Sequence, residues 1–225
     1  MSAPGVSALL FDVDGTLLDS VYQHVLAWHE ALQEEHIELS VWRIHRRVGM
    51  SGGLFVDALA RETGASIDAA RAERLRRRHA QGLLARLAEI RPLPGAIALL
   101  THLHNLGMPF ALATSGRRET ADQTISLLHL PGGVPVVTRD DVVRAKPDPD
   151  LFLAAADRLG VPATGCFVVG DSVWDLLAAQ RARALGVGLL SGGYGRDELE
   201  RAGAYRVYSD PADLLAHLDE IGVRG

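Results

Sequence analysis

Two carboxylates one residue apart close the first apolar run of the chain, in Phe11-Asp12-Val13-Asp14-Gly15-Thr16. Side chains alternate along an extended backbone, so Asp12 and Asp14 face one way while Val13 turns back to the interior. Acids held this close repel each other unless a cation or a shared proton intervenes. The pair suits a nucleophilic carboxylate, a neighbouring acid/base and a divalent metal. A second pointer is the rarity of lysine. Of 23 basic residues only Lys146 is a lysine, in Arg-Ala-Lys-Pro-Asp-Pro-Asp, just ahead of a helix start. A compact ammonium suits a phosphate or carboxylate in a tight pocket better than the broad guanidinium fork does.

Two more polar clusters follow apolar runs. Thr114-Ser115-Gly116 offers a hydroxyl and backbone N–H groups to phosphate oxygens. Gly170-Asp171-Ser172-Val173-Trp174-Asp175 offers further carboxylates to a hard cation. Taken singly, each has a plainer reading, Ser-Gly as a turn and Gly-Asp-Ser as a helix cap. Asp-Val-Asp-Gly-Thr imitates the start of a calcium loop, but the later ligand positions and closing Glu are missing. The specificity lies in the succession, each cluster after its own apolar run.

The elements that position these groups alternate. Strands are expected at Ser7–Phe11, Pro109–Thr114, Val134–Val137, Cys166–Val169, Val187–Leu190 and Arg206–Tyr208. Helices are expected at Ala96–Leu106, Thr120–Leu128, Asp150–Leu159, Trp174–Leu185 and Pro211–Ile221, with Asp148-Pro149 starting the third and Gly160 ending it. Such alternation implies an α/β fold, a Rossmann-like parallel sheet covered by helices on both faces, with ligands at the carboxyl ends of the strands. Residues 21–90 break the pattern. Val21, Val25, Trp28 and Leu32 recur at helical spacing, and Ile67–Leu87 reads as a long Arg-rich helix. This stretch is expected to be an inserted α-helical cap after the first strand, free to hinge over the site. The catalytic core is then residues 1–20 and 91–225.

The net charge of -5 gives no basic field for nucleic acid. The single cysteine, Cys166, sits in an apolar run and excludes an internal disulfide, as expected in a reducing compartment. With no signal-like succession or membrane-length apolar stretch, a soluble cytoplasmic protein is expected, with no membrane partner, as a monomer or homodimer.

Taken together, the motifs resemble those of the haloacid dehalogenase superfamily, in its phosphoglycolate phosphatase-like and beta-phosphoglucomutase-like branch with a helical cap. Asp-x-Asp-Gly-Thr at 12–16, Thr-Ser at 114–115, Lys-Pro-Asp-Pro at 146–149 and Gly-Asp-Ser-x-x-Asp at 170–175 carry the resemblance. It implies that Asp12 attacks phosphorus to form an aspartyl-phosphate, and that Asp14 protonates the leaving oxygen and then activates water. It further implies Mg2+ held by Asp12, the Asp14 backbone carbonyl, Asp171 and Asp175. Ser115, Lys146, Thr16 and Gly116 would bind the phosphoryl group, with Thr16 also orienting the Asp14 loop. Phosphoryl transfer rests on positioning and charge neutralisation, which fits this set.

The resemblance also separates activities. Dehalogenases of the superfamily lack the second acid, which this chain keeps as Asp14. The related sugar phosphomutases carry an arginine in the cap segment where this chain has Gly52 and Gly53, and both branches have a histidine near His24. Substrate choice is expected of His24 and of the cap loop containing Arg46, Arg47, Met50, Ser51 and Gly52. There an arginine could grip a second anionic group, unless the loop is an ordinary turn. The run Arg76-Arg77-Arg78 reads as a solvated helix face, and Trp28, Trp42 and Trp174 as core. The expected activity is a Mg2+-dependent phosphatase of a small phosphorylated metabolite. The alternatives are a sugar phosphomutase and a non-catalytic regulator that binds a phosphorylated ligand.

Overall fold

In the computed structural model the described residues are 7–224. Residues 1–6 and 225, which the expected division assigns to the core, lie outside them. The elements in chain order are β1 (Ala8–Phe11), β2 (Leu18–Asp19), α1 (Val21–Glu34), α2 (Val41–His45), α3 (Gly52–Thr63), α4 (Ala69–Ala85), β3 (Arg91–Pro92), α5 (Ala96–Asn105) and β4 (Phe110–Ala113). There follow α6 (Arg118–Ile125), β5 (Val136–Val137), α7 (Asp150–Arg158), β6 (Cys166–Gly170), α8 (Val173–Arg181), β7 (Leu185–Leu189), α9 (Arg196–Arg201), β8 (Ala204–Tyr208) and α10 (Pro211–Ala216).

Six strands form one sheet in the order β5-β4-β1-β6-β7-β8, and every neighbouring pair is parallel. Such strands are apolar throughout because both faces are covered. Along β1 the pleat divides the side chains. Leu9 and Phe11 join a core with Leu99 and Leu103 of α5, whereas Ala8 and Leu10 join one with Phe152 of α7 and Ala178 of α8. The chain order reverses about β1, so the carboxyl ends of β1, β4 and β6 open into one crevice, where ligands bind in such sheets.

Between β2 and β3 lies a helical lobe with its own core of Val25, Trp28, Leu32, Ile44, Phe55, Leu59 and Leu75. Val21, Val25, Trp28 and Leu32 are all buried along α1, as their spacing requires. Among the described residues no helix is long and apolar enough to cross a membrane.

Several boundaries differ from the sequence expectation. The short strands β2 and β3 were not expected; they pair antiparallel, Leu18 with Pro92 and Asp19 with Arg91, and join the two stems of the lobe. The helix expected to reach Leu185 stops at Arg181, because Arg183 turns left-handed (φ 58°) to start β7. The one expected to reach Ile221 leaves helical geometry at His217 and resumes as a 3-10 turn. Asp148 does not cap α7: Pro149 takes the cap position without a side-chain bond, and Asp148 accepts from Arg181 at 3.3 Å. Trp42 is 63% exposed on α2 and belongs to no core.

Candidate active site

The backbone fixes Asp12 first: its N–H donates to Val169 O of β6 at 2.9 Å, extending the ladder one residue past β1. The chain then turns at Gly15 with φ 82°, where a Cβ would lie 2.5 Å from Asp171 Oδ2, so only glycine lets the two carboxylate segments pass. Thr114 is held likewise, its N–H on Val137 O at 3.0 Å.

Around Asp12 four charges are buried together. Lys146 Nζ is paired with Asp12 Oδ1 and lies 2.8 Å from Asp175 Oδ1. The other Asp175 oxygen accepts from Ser172 N at 3.1 Å and Ser172 Oγ at 2.6 Å, capping α8. Thr16 Oγ1 donates to Asp171 Oδ1 at 3.0 Å. Oxygens of Asp12, Asp171 and Asp175 lie within 4.8 Å of one another. Three buried acids face one ammonium, so the cluster carries excess negative charge. Burial, with Asp175 and Asp14 nearby, pushes Asp12 up to about 7 against the pull of Lys146. Burial, with Asp175 and Asp12 nearby, pushes Asp171 well above the usual carboxylate range. Burial would lower Lys146, but Asp12 and Asp175 outweigh it and hold the ammonium charged. A buried all-oxygen set short of positive charge fits a hard divalent cation.

Asp14 sits in a different environment. Its Oδ1 accepts from Ser20 Oγ at 2.7 Å and lies 3.1 Å from His24 Nε2; its Oδ2 is 3.4 Å from the Thr114 hydroxyl. Burial would raise it, yet His24 and Ser20 outweigh that and pull it down to about 2. The two acids thus lie in environments that push them apart, Asp12 up and Asp14 down.

The other expected site residues divide. His24, Arg47, Met50, Gly52 and Ser115 line a cavity of about 840 Å3 together with Asp12 and Asp14. Ser115 Oγ, however, donates to Gly49 O of the lobe at 3.0 Å. Thr16 and Gly116 do not present free donors to a phosphate: the Thr16 hydroxyl is used by Asp171, and the Gly116 N–H donates to Thr114 Oγ1 at 3.0 Å. Arg46 does not line the cavity. It pairs with Glu198, stacks over Tyr194 at 3.9 Å, and its carbonyl accepts from Trp174 Nε1 at 3.2 Å and Tyr194 Oη at 2.9 Å. Arg47 borders the cavity but spends its guanidinium on Glu62 and the Arg43 carbonyl. Ser51 caps α3, accepting from Leu54 N at 3.3 Å, rather than facing the cavity.

The wall also holds residues not expected from sequence. The Arg76-Arg77-Arg78 run is a solvated face with acids beside it, Arg77 and Arg78 exposed and Arg78 paired with Glu34, but Arg76 and Arg77 also border the cavity, and Glu73 pairs with both Arg76 and Arg117. His79 also lines the wall and touches His24, and Ser20, fully buried behind it, bonds Asp14. Both carried a signal. Ser20 ends the Asp-rich motif, and His79 falls four residues after Leu75 and four before Leu83 on the inner stripe of α4.

A family model described as haloacid dehalogenase-like hydrolase matches residues 6–183. The chain is 34% identical over 215 residues to a phosphoglycolate phosphatase of Rhodospirillum rubrum, covering 92% of this chain and 88% of that protein. It is 33% identical over 179 residues to hexitol phosphatase A of Escherichia coli, covering 77% and 78% respectively. Among solved structures, a hydrolase from Pseudomonas syringae superposes with TM-score 0.94 at 55% identity, covering 96% of this chain and all of that one.

Proposed function

We propose that this chain, which belongs to the haloacid dehalogenase-like hydrolase family and is a phosphoric monoester hydrolase, removes phosphate from a small metabolite through an aspartyl-phosphate on Asp12. The supporting observation is the division of labour between the two acids: Asp12 beside the buried ammonium of Lys146, Asp14 hydrogen-bonded to Ser20 and facing His24. Asp12 Oδ attacks phosphorus, the ester P–O bond breaks, and Asp14 gives its proton to the departing oxygen. Water then attacks phosphorus while Asp14 takes its proton, the Asp12 O–P bond breaks, and the proton leaves with the released phosphate, which returns Asp14 to its ionised resting state. Asp14 rests ionised; the negative charge of an arriving phosphate ester raises its proton affinity and loads it for the first step.

Mg2+ is the cation this reading assigns to Asp12, Asp171 and the Asp14 carbonyl, with Asp175 adjacent. When bound it supplies charge neutralisation that lets two anions meet. Lys146 adds a fixed positive charge, and Ser115 joins it at the phosphoryl group once its bond to Gly49 is released. The division into a core of 1–20 and 91–225 and a cap of 21–90 belongs to the same proposal, as does a cytoplasmic setting for the one buried thiol. The substrate is of the phosphoglycolate or polyol phosphate kind named for the relatives. The direct experiment is turnover of a panel of phosphate esters with and without Mg2+. Released phosphate that disappears in Asp12→Asn supports the proposal; an isomeric phosphate as product supports the mutase, and a folded protein without turnover supports a regulator.

A further inference from the structure

We infer that His79 of α4 is a positioning residue for Asp14, acting through His24. The inference rests on the reading of Asp14 as acid/base. His79 Nε2 lies 3.0 Å from His24 Nδ1, and the other nitrogen of His24 lies 3.1 Å from Asp14 Oδ1. That His24 Nε2 is buried and makes no well-directed hydrogen bond, so Asp14 by itself does not orient the ring. Its aim must come from the far side. There the His79 ring stacks on Trp28 at 4.3 Å and 15°, and Trp28 on Phe55 at 4.2 Å and 26°. The packed interior of the helical lobe thus backs His79, His79 backs His24, and His24 faces the acid.

Hydrogen-bond bookkeeping sets the direction. A neutral imidazole has one donor and one acceptor nitrogen. For His24 to present Nε2–H to the Asp14 carboxylate, its Nδ1 must accept, and His79 Nε2–H is the donor beside it. His79 therefore selects the tautomer of His24 as well as its orientation. Burial and the neighbouring His24 hold His79 well below the ordinary histidine range, which keeps its ring neutral, with one donor and one acceptor nitrogen. Asp14, His24, Trp28 and His79 all border the cavity, so the arrangement lies where a leaving group would sit. Without His79, Asp14 would keep Ser20 but lose a properly directed His24, and proton delivery to a poor leaving group would suffer most.

The test compares His79→Phe, which keeps a ring on Trp28 but removes the donor, with His79→Gln, which keeps a donor. Each is assayed on an alkyl phosphate and on an aryl phosphate whose leaving group needs little protonation, after melting curves establish that both fold. His79→Phe is expected to lower kcat on the alkyl ester about tenfold with KM little changed, and to spare the aryl ester. His79→Gln is expected to recover most of the loss, and the Phe effect to vanish in a His24→Phe background. Equal losses on both esters, a change confined to KM, or full additivity with His24→Phe would overturn the inference. Asp14→Asn run alongside separates the two levels. If it shows the ester dependence and His79→Phe does not, only this inference fails; if neither does, the acid/base reading of Asp14 fails first.

Discussion

Lys146 Nζ lies 2.8 Å from Asp175 Oδ1, and both side chains are fully buried. The same Asp175 caps α8 through Ser172, so one carboxylate ties the start of a helix to the only lysine in the chain. On its other side the ammonium meets Asp12. The group that would greet a phosphoryl oxygen is thus also what makes the acid cluster tolerable inside the fold.

Replacing Lys146 with Met keeps the stem and removes the charge. Uncompensated acids remain, and breaking a buried pair from one side costs about 3–5 kcal/mol. Urea denaturation in chelator should read that loss, with turnover abolished. Lys146→Arg is expected to fail as well, because a planar fork does not fit between Asp12 and Asp175; wild-type stability in either variant would contradict this account.

For Asp14, the distinguishing property is sensitivity to the leaving group. Asp14→Asn should lower kcat on an alkyl phosphate by roughly a hundredfold or more, and far less on a nitrophenyl ester. A uniform loss would mean that Asp14 positions the loop and transfers no proton.

Metal binding should appear as stabilisation before any chemistry is measured. At a hundred times its dissociation constant, Mg2+ contributes about 2.7 kcal/mol, a rise in Tm of roughly 5–10 °C for a chain of this size. Calorimetry should show that rise in the wild type and not in Asp171→Asn. A rise that survives in the variant would place the cation elsewhere.

Beside the cavity, between its lining residues Asp140 and Val142, Asp141 provides a pH prediction. Burial would raise it, but the Thr138 amide and hydroxyl, Arg158 and Arg118 outweigh that and hold it at about 2. A carboxyl lowered in the folded state stabilises above its unfolded value and loses that contribution as pH falls through the folded one. The contribution should therefore be complete above about pH 5 and fade between about 4 and 2. Discounted for its surface position it amounts to about 1–2 kcal/mol. Chemical denaturation of Asp141→Asn against pH should give a flatter acid limb; an unchanged slope would reject it.

The sheet was legible because parallel strands are apolar on both faces, and Phe110–Ala113 or Cys166–Gly170 can hardly be read otherwise. The acid cluster was legible because its members follow those strands directly. What escaped was geometry set at long range. Arg46 and Arg47 looked like ligand grips, but their partners Glu198 and Glu62 are remote in sequence or on another helix. Thr16 and Gly116 looked like phosphate donors, yet the bonds that occupy them close only when Asp171 and Thr114 arrive. Strands β2 and β3 span two residues each, too short for any periodicity to register. His79 was hidden by its neighbours: three arginines drew the eye to charge, while the stripe through Leu75 and Leu83 pointed inward.

The pairing of Leu18–Asp19 with Arg91–Pro92 means that the chain leaves for the lobe and returns from it at one stitched seam. A module attached in this way is exchangeable as a unit: a foreign helical segment grafted between those strands would inherit the phosphoryl-handling machinery and bring its own selectivity. The exception is written into α1 and α4, since a graft that omitted the paired histidines would carry the fold across and leave Asp14 with only the Ser20 and Thr114 hydroxyls to aim it.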